Sequence, residues 1–115
     1  MKLKNILAVV IAIIFIFVVA LIVAQKPKII LFYSNTCVHC QNVKDFIVAN
    51  NVEDRVKFKE LEVSNNSNNS NLLIAKAKSC KLDTSGGIGV PFLFDGKNCL
   101  SGDVDIINFF QEKIK

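Results

Sequence analysis

Four cysteines are the residues of this chain best suited to chemistry, and two of them, Cys37 and Cys40, stand three positions apart with Val38 and His39 between them. Thiols at that spacing close a small disulfide with little change of backbone. Where a helix begins at the first of them, its sulfur is aimed at solvent and the second turns inward. The unpaired N–H groups and positive end of such a helix favour a thiolate at Cys37, and His39, as a cation or hydrogen-bond donor, lowers that thiol's pKa further. A thiolate near neutral pH is both nucleophile and good leaving group, as thiol–disulfide exchange requires. Two other uses of the pair stay open at this level: a disulfide that never turns over, and a copper-carrier-like site holding a soft metal through two thiolates without redox turnover.

The elements needed to position the pair are legible on either side of it. Ile29, Ile30, Leu31, Phe32 and Tyr33 form a continuous apolar run ending at Ser34, Asn35 and Thr36, the pattern of a central strand covered on both faces. From Val38 the period changes: Val43, Phe46 and Ile47 recur at helical spacing, which predicts a helix over residues 38–50. Residues 56–63 alternate imperfectly and predict a strand. Residues 64–71 are all serine or asparagine and read as a solvated loop before a helix over residues 71–80. Residues 81–89 read as a glycine-containing loop, and Asp95, Gly96 and Lys97 then separate two short strands in a tight turn. Asp103 is expected to cap a last helix, with Ile106, Ile107, Phe109, Phe110 and Ile114 on its inner face. The order β-α-β-α-β-β-α gives an α/β domain: a mixed four-stranded sheet covered by helices.

Ahead of this domain, residues 6–24 are apolar without interruption. As a helix they span about 28 Å, close to the hydrocarbon thickness of a bilayer, and they lack the polar face of a core helix. The run is long for a cleavable signal, whose only candidate site is Ile22, Val23 and Ala24 before Gln25, so an uncleaved anchor contacting lipid through residues 6–24 is expected. The chain therefore divides into an anchor and linker, residues 1–28, and one small domain, residues 29–115. Its length and composition exclude two domains, a coiled coil, a disordered chain and a multi-span transporter. The formal charge of +4 is carried entirely by Lys2, Lys4, Lys26 and Lys28, which bracket the apolar run. The domain is neutral, so no nucleic-acid partner is expected. The lysine distribution favours a single-pass membrane protein with its domain outside the cytoplasm, periplasmic or extracellular, and four cysteines agree with such an oxidising compartment.

The stretch Phe32-Tyr33-Ser34-Asn35-Thr36-Cys37-Val38-His39-Cys40, a helix after it, then Gly89-Val90-Pro91 and a hairpin, resembles the thioredoxin superfamily in its compact, glutaredoxin-sized form. The resemblance covers nearly all of residues 29–115. It implies a thioredoxin-like fold and a cis Val90–Pro91 bond beside the cysteine pair. It also implies a backbone at Val90, flanked by Gly89, that bonds an extended substrate segment. A proline that merely enters a strand in trans is the alternative for Pro91. Histidine before the second cysteine and valine before the proline are similar to periplasmic thiol oxidases of the DsbA type. Leu31, however, stands where thioredoxins carry a buried aspartate, which leaves the proton acceptor for Cys40 unassigned. The glutaredoxin glycine pair that holds glutathione is not evident, with only Gly102-Asp103 present. Protein thiols and disulfides are therefore the expected substrates, a membrane-embedded redox protein is a candidate partner, and the Cys37–Cys40 disulfide itself is the only redox group expected, with no bound metal or other cofactor.

Cys80 and Cys99 lie 19 positions apart and admit three readings. They form a structural disulfide, they are buried free thiols acting as small hydrophobes, or they make an auxiliary redox or metal pair. Their spacing does not complete a four-cysteine zinc site, whose second pair would also be C-x-x-C.

Overall fold

The computed structural model describes residues 2–23 and 27–115. Ala24, Gln25 and Lys26, which carry the end of the apolar run, the candidate cleavage site and part of the linker, lie outside the described residues. Helix α1, Leu3–Val23, has 21 residues and is long and apolar enough to cross a membrane. None of its side chains is buried within the protein.

The remaining elements follow the expected order: β1 (Ile29–Tyr33), α2 (Val38–Ala49), β2 (Phe58–Glu62), α3 (Ser67–Ser79), β3 (Phe92–Phe94), β4 (Cys99–Ser101) and α4 (Asp103–Lys113). The sheet runs β2-β1-β3-β4, with β1 parallel to β2 and antiparallel to β3, and β3 antiparallel to β4. Copper-carrier domains of order β-α-β-β-α-β have a different succession.

Helices cover both faces, which is why β1 needs no polar face. Leu31 and Leu93 pack with Val43 and Ile47 of α2 and with Ile106 and Phe110 of α4. Phe32 and Phe92 pack on the other face against Leu73 and Ala77 of α3. The sheet is thus a shared wall between two apolar layers, and β1 at its centre carries the cysteine pair out at its carboxyl end. A glycine is required at one corner: Gly102, with φ +90°, caps α4 and donates its N–H to the Pro91 carbonyl at 3.0 Å.

Three expectations need correction. The serine–asparagine stretch is not all loop, because α3 already begins at Ser67; the Asn66 side chain accepts the Asn69 N–H and so starts a helix whose first turn has poor intrinsic propensity. Asp103 is the first helical residue of α4, and Gly102 takes the cap position assigned to it. The strand expected over residues 56–63 is confined to Phe58–Glu62, preceded by a 3-10 turn at Val52–Asp54 that buries Val52 and leads to buried Val56.

Candidate functional site

The site grows from the junction of β1 and α2. Cys37 is the N-cap of α2, in extended conformation, and its sulfur accepts the Cys40 N–H at 3.0 Å. Serine, threonine or aspartate usually fills this role, so the same amide that caps the helix stands ready to solvate a thiolate. Cys37 and Cys40 are joined in a disulfide with Cα atoms 5.2 Å apart. Cys37 is partly exposed, whereas Cys40 is 2% exposed and belongs to the core. The expected asymmetry of an outer and an inner sulfur is present.

Opposite the pair stands the start of β3. The Cys37 sulfur lies 3.5 Å from the Val90 carbonyl oxygen, and the Val90–Pro91 bond is cis. Pro91 is buried and Val90 half-buried. Gly89 is exposed, and a side chain added there would meet nothing within 4 Å, so local packing does not demand glycine. The geometry brings Cys37, Cys40 and Val90-Pro91 together and places Gly89 at the rim.

His39 is 71% exposed, and its Nδ1 lies 3.0 Å from a carboxylate oxygen of Asp103 on α4. Asn42, one turn along α2, donates its side-chain amide to the same oxygen at 2.7 Å. These two bonds, the Asn42 one first, hold the Asp103 carboxyl at about 2, well below the ordinary carboxylate range. The sequence singled out His39 but not its partner, since 64 residues separate the two and no spacing rule links them.

A second polar group steadies the turn that delivers Cys37. Ser34 Oγ contacts the hydroxyls of Thr36 and Ser64, each at 3.2 Å. The Glu62 carboxylate accepts from the Ser64 hydroxyl and from the Ser64 and Asn65 N–H groups, which keep it below the usual range. Beside them Lys44 of α2 sits over the Tyr33 ring, 3.5 Å from its centroid. Glu60 pairs in register with Leu31, the position where the family resemblance places a buried aspartate. Loss of hydration pushes the half-buried Glu60 carboxyl up; Lys44 opposes this and Glu53 adds to it.

The second cysteine pair is distant in character. Cys80, the C-cap of α3, is joined to Cys99 on β4 in a disulfide with Cα atoms 6.2 Å apart. The Cys99 sulfur lies 3.5 Å from the Lys76 carbonyl oxygen and the Cys80 sulfur 3.9 Å from that of Lys97. Among the described residues, carbonyl oxygens and not N–H groups lie against these sulfurs.

No family model matches the chain. No curated protein sequence matches it either. Among solved structures it is similar to a mutant of the thioredoxin-like protein BC3987, with a TM-score of 0.54 and 20% identity over 76% of this chain and 99% of that one. It is also similar to oxidised glutaredoxin 2 from Chlamydomonas reinhardtii, with a TM-score of 0.48 and 19% identity over 74% of this chain and 72% of that one.

Proposed function

From the premise that this chain has a thioredoxin-like fold with a C-x-x-C disulfide at a helix start, we propose that it is a thiol–disulfide oxidoreductase acting on protein thiols and disulfides. Membrane anchoring through α1, with the domain outside the cytoplasm, completes the reading; the length and apolarity of that helix and the flanking lysines support it. The observation that carries the proposal is the Cys37 sulfur held between a helix-start N–H and the Val90 carbonyl, with its partner buried behind it.

In the oxidising direction a substrate thiolate attacks the Cys37 sulfur and forms a mixed disulfide. The Cys37–Cys40 bond breaks, and its electron pair leaves on Cys40. A second substrate thiolate then attacks the substrate sulfur and displaces Cys37 as a thiolate. The substrate gains a disulfide, while the chain gains two electrons and, net, two protons. A membrane-embedded redox protein able to accept that electron pair would restore the disulfide. In the reducing direction Cys37 attacks a substrate disulfide and Cys40 resolves the mixed species. Stabilising the Cys37 thiolate biases the pair toward oxidation or isomerisation, because it favours the reduced form of the chain. The Val90 backbone, in this reading, pairs with an extended segment of the substrate.

The test uses the full chain in detergent. Reduction of insulin disulfides or oxidation of a reduced test protein, lost in Cys37→Ser, is the expected result. Tight stoichiometric copper(I) binding with no turnover would overturn it.

A further inference from the structure

The chain has one histidine, and its ring is tied by Nδ1 to a carboxylate contributed by another helix. An ionised carboxylate only accepts, so the bond places the proton on Nδ1, and in the neutral ring Nε2 then carries the free lone pair. We propose that Asp103 is a positioning residue of the dithiol site: it fixes His39 in the tautomer whose Nε2 accepts a proton from an incoming thiol and returns it to a departing sulfur. This rests on the thiol-exchange reading.

Several contacts make the arrangement more than a surface ion pair. The Asp103 side chain is only 19% exposed, against 71% for His39, so the anchor is the better fixed of the two. Asn42 binds the same carboxylate oxygen, which locks Asp103 against the face of α2 that also presents His39. Gly102, directly before Asp103, donates to the Pro91 carbonyl, and Val90 before Pro91 meets the Cys37 sulfur. Covalent neighbours, two hydrogen bonds and the contact between the Cys37 sulfur and the Val90 oxygen therefore run in a circuit from Cys37 through Val90, Pro91, Gly102, Asp103 and His39 to Cys40. A base and a third group that orients it are what an incoming nucleophile needs for activation, and the fold draws these two from α2 and α4. The depressed pKa of Asp103 keeps its carboxylate ionised at neutral pH.

When an incoming thiol loses its proton to Nε2, the resulting thiolate attacks Cys37, and Cys40 leaves with the electron pair of the broken S–S bond. In this first step the proton stays on His39 and the electron pair on buried Cys40, and the substrate sulfur ends in the mixed disulfide; when a second thiol displaces Cys37, the proton is available to that partly exposed sulfur. The carboxylate of Asp103 stays ionised throughout and stabilises the imidazolium.

The experiment measures the exchange rate of the oxidised full chain, in detergent, with reduced glutathione as the probe thiol, for Asp103→Ala in the unaltered and the His39→Gln backgrounds. The expected result is a slowing of about tenfold by Asp103→Ala, below the full worth of a positioned base, and less than about twofold in the His39→Gln background. The 15N shifts of the sole imidazole at alkaline pH supply a signature that mere helix tying would not move: Nδ1–H in the unaltered chain, Nε2–H in Asp103→Ala. An equal slowing in both backgrounds, no slowing, or an unchanged tautomer overturns the proposal. If the alanine variant does not fold, Asp103→Asn carries the same comparison, with about threefold slowing because a charge-assisted bond becomes neutral. Absence of exchange in the unaltered chain would instead remove the thiol-exchange reading itself.

Discussion

Two disulfides occupy opposite ends of helices in this molecule. Cys37–Cys40 sits at the amino end of α2, where the Cys40 N–H points at the Cys37 sulfur beside the Val90 carbonyl; Cys80–Cys99 leaves from the carboxyl end of α3, where the Lys76 carbonyl oxygen faces the Cys99 sulfur. The first location welcomes a thiolate and the second resists one, because the helix dipole and the free backbone groups change sign between them. The rings also differ, with sequence separations of 3 and 19. Chain entropy assigns about 2 kcal/mol of stabilisation to the short ring and about 3 to the long one. On the function proposed above, identical covalent chemistry serves reactivity at one helix end and stapling at the other, with helix polarity separating the two.

The sharpest way to break that contrast is to exchange the roles. Cys37→Ser is expected to abolish disulfide exchange with protein substrates, whereas Cys80→Ser with Cys99→Ser is expected to leave the rate within about threefold. Loss of turnover in the second variant would place chemistry at the staple. Stability should respond in the reverse sense. The Cys80/Cys99 double serine variant should lose about 3 kcal/mol in denaturant unfolding, and the Cys37/Cys40 one about 1 kcal/mol less than that.

Smaller effects come from two carboxylates near the first pair. Glu60 holds its proton more tightly in the folded chain than in the unfolded one, so its contribution to stability is largest below its ordinary pKa and falls as pH rises through the raised value. Glu60→Gln is therefore expected to raise the denaturant midpoint at neutral pH and to leave it nearly unchanged in acid. Asp103 works with the opposite sign. Its pKa falls from 3.8 to about 2, so its stabilisation is complete above about pH 4 and lost as pH drops toward 2. The stability advantage of the unaltered chain over Asp103→Asn should close as pH falls from about 4 toward 2; a difference that persists unchanged down to pH 2 would show that the carboxylate gains nothing from His39 and Asn42.

How much of this was legible in the sequence depended on whether the signal was local. Ile29 to Tyr33 announced a strand covered twice because every residue in it is apolar, and the cysteine pair marked the helix start that follows. Asp95 and Gly96 announced the hairpin through turn chemistry. The start of α3 was hidden because asparagine and serine are weak helix formers, and only the capping bond from Asn69 to Asn66 reveals why they are helical here. Asp103 looked like a cap because aspartate before an apolar period usually is one. One carboxylate oxygen does accept the Val104 N–H at 3.1 Å, but the other reaches across to α2, and that meeting depends on how α2 and α4 pack on one sheet face, which no residue spacing encodes.

On the proposed function the Cys37 sulfur, once reduced, is a partly exposed thiolate at neutral pH. Its alkylation by iodoacetamide as a function of pH, followed by peptide mass spectrometry on the reduced full chain, tests that directly. The expected midpoint lies at least one unit below the roughly 8.5 of a free cysteine, with Cys80 and Cys99 reacting only at higher pH. A Cys37 midpoint at or above that of a free cysteine, or faster reaction at Cys80 or Cys99, would contradict the account.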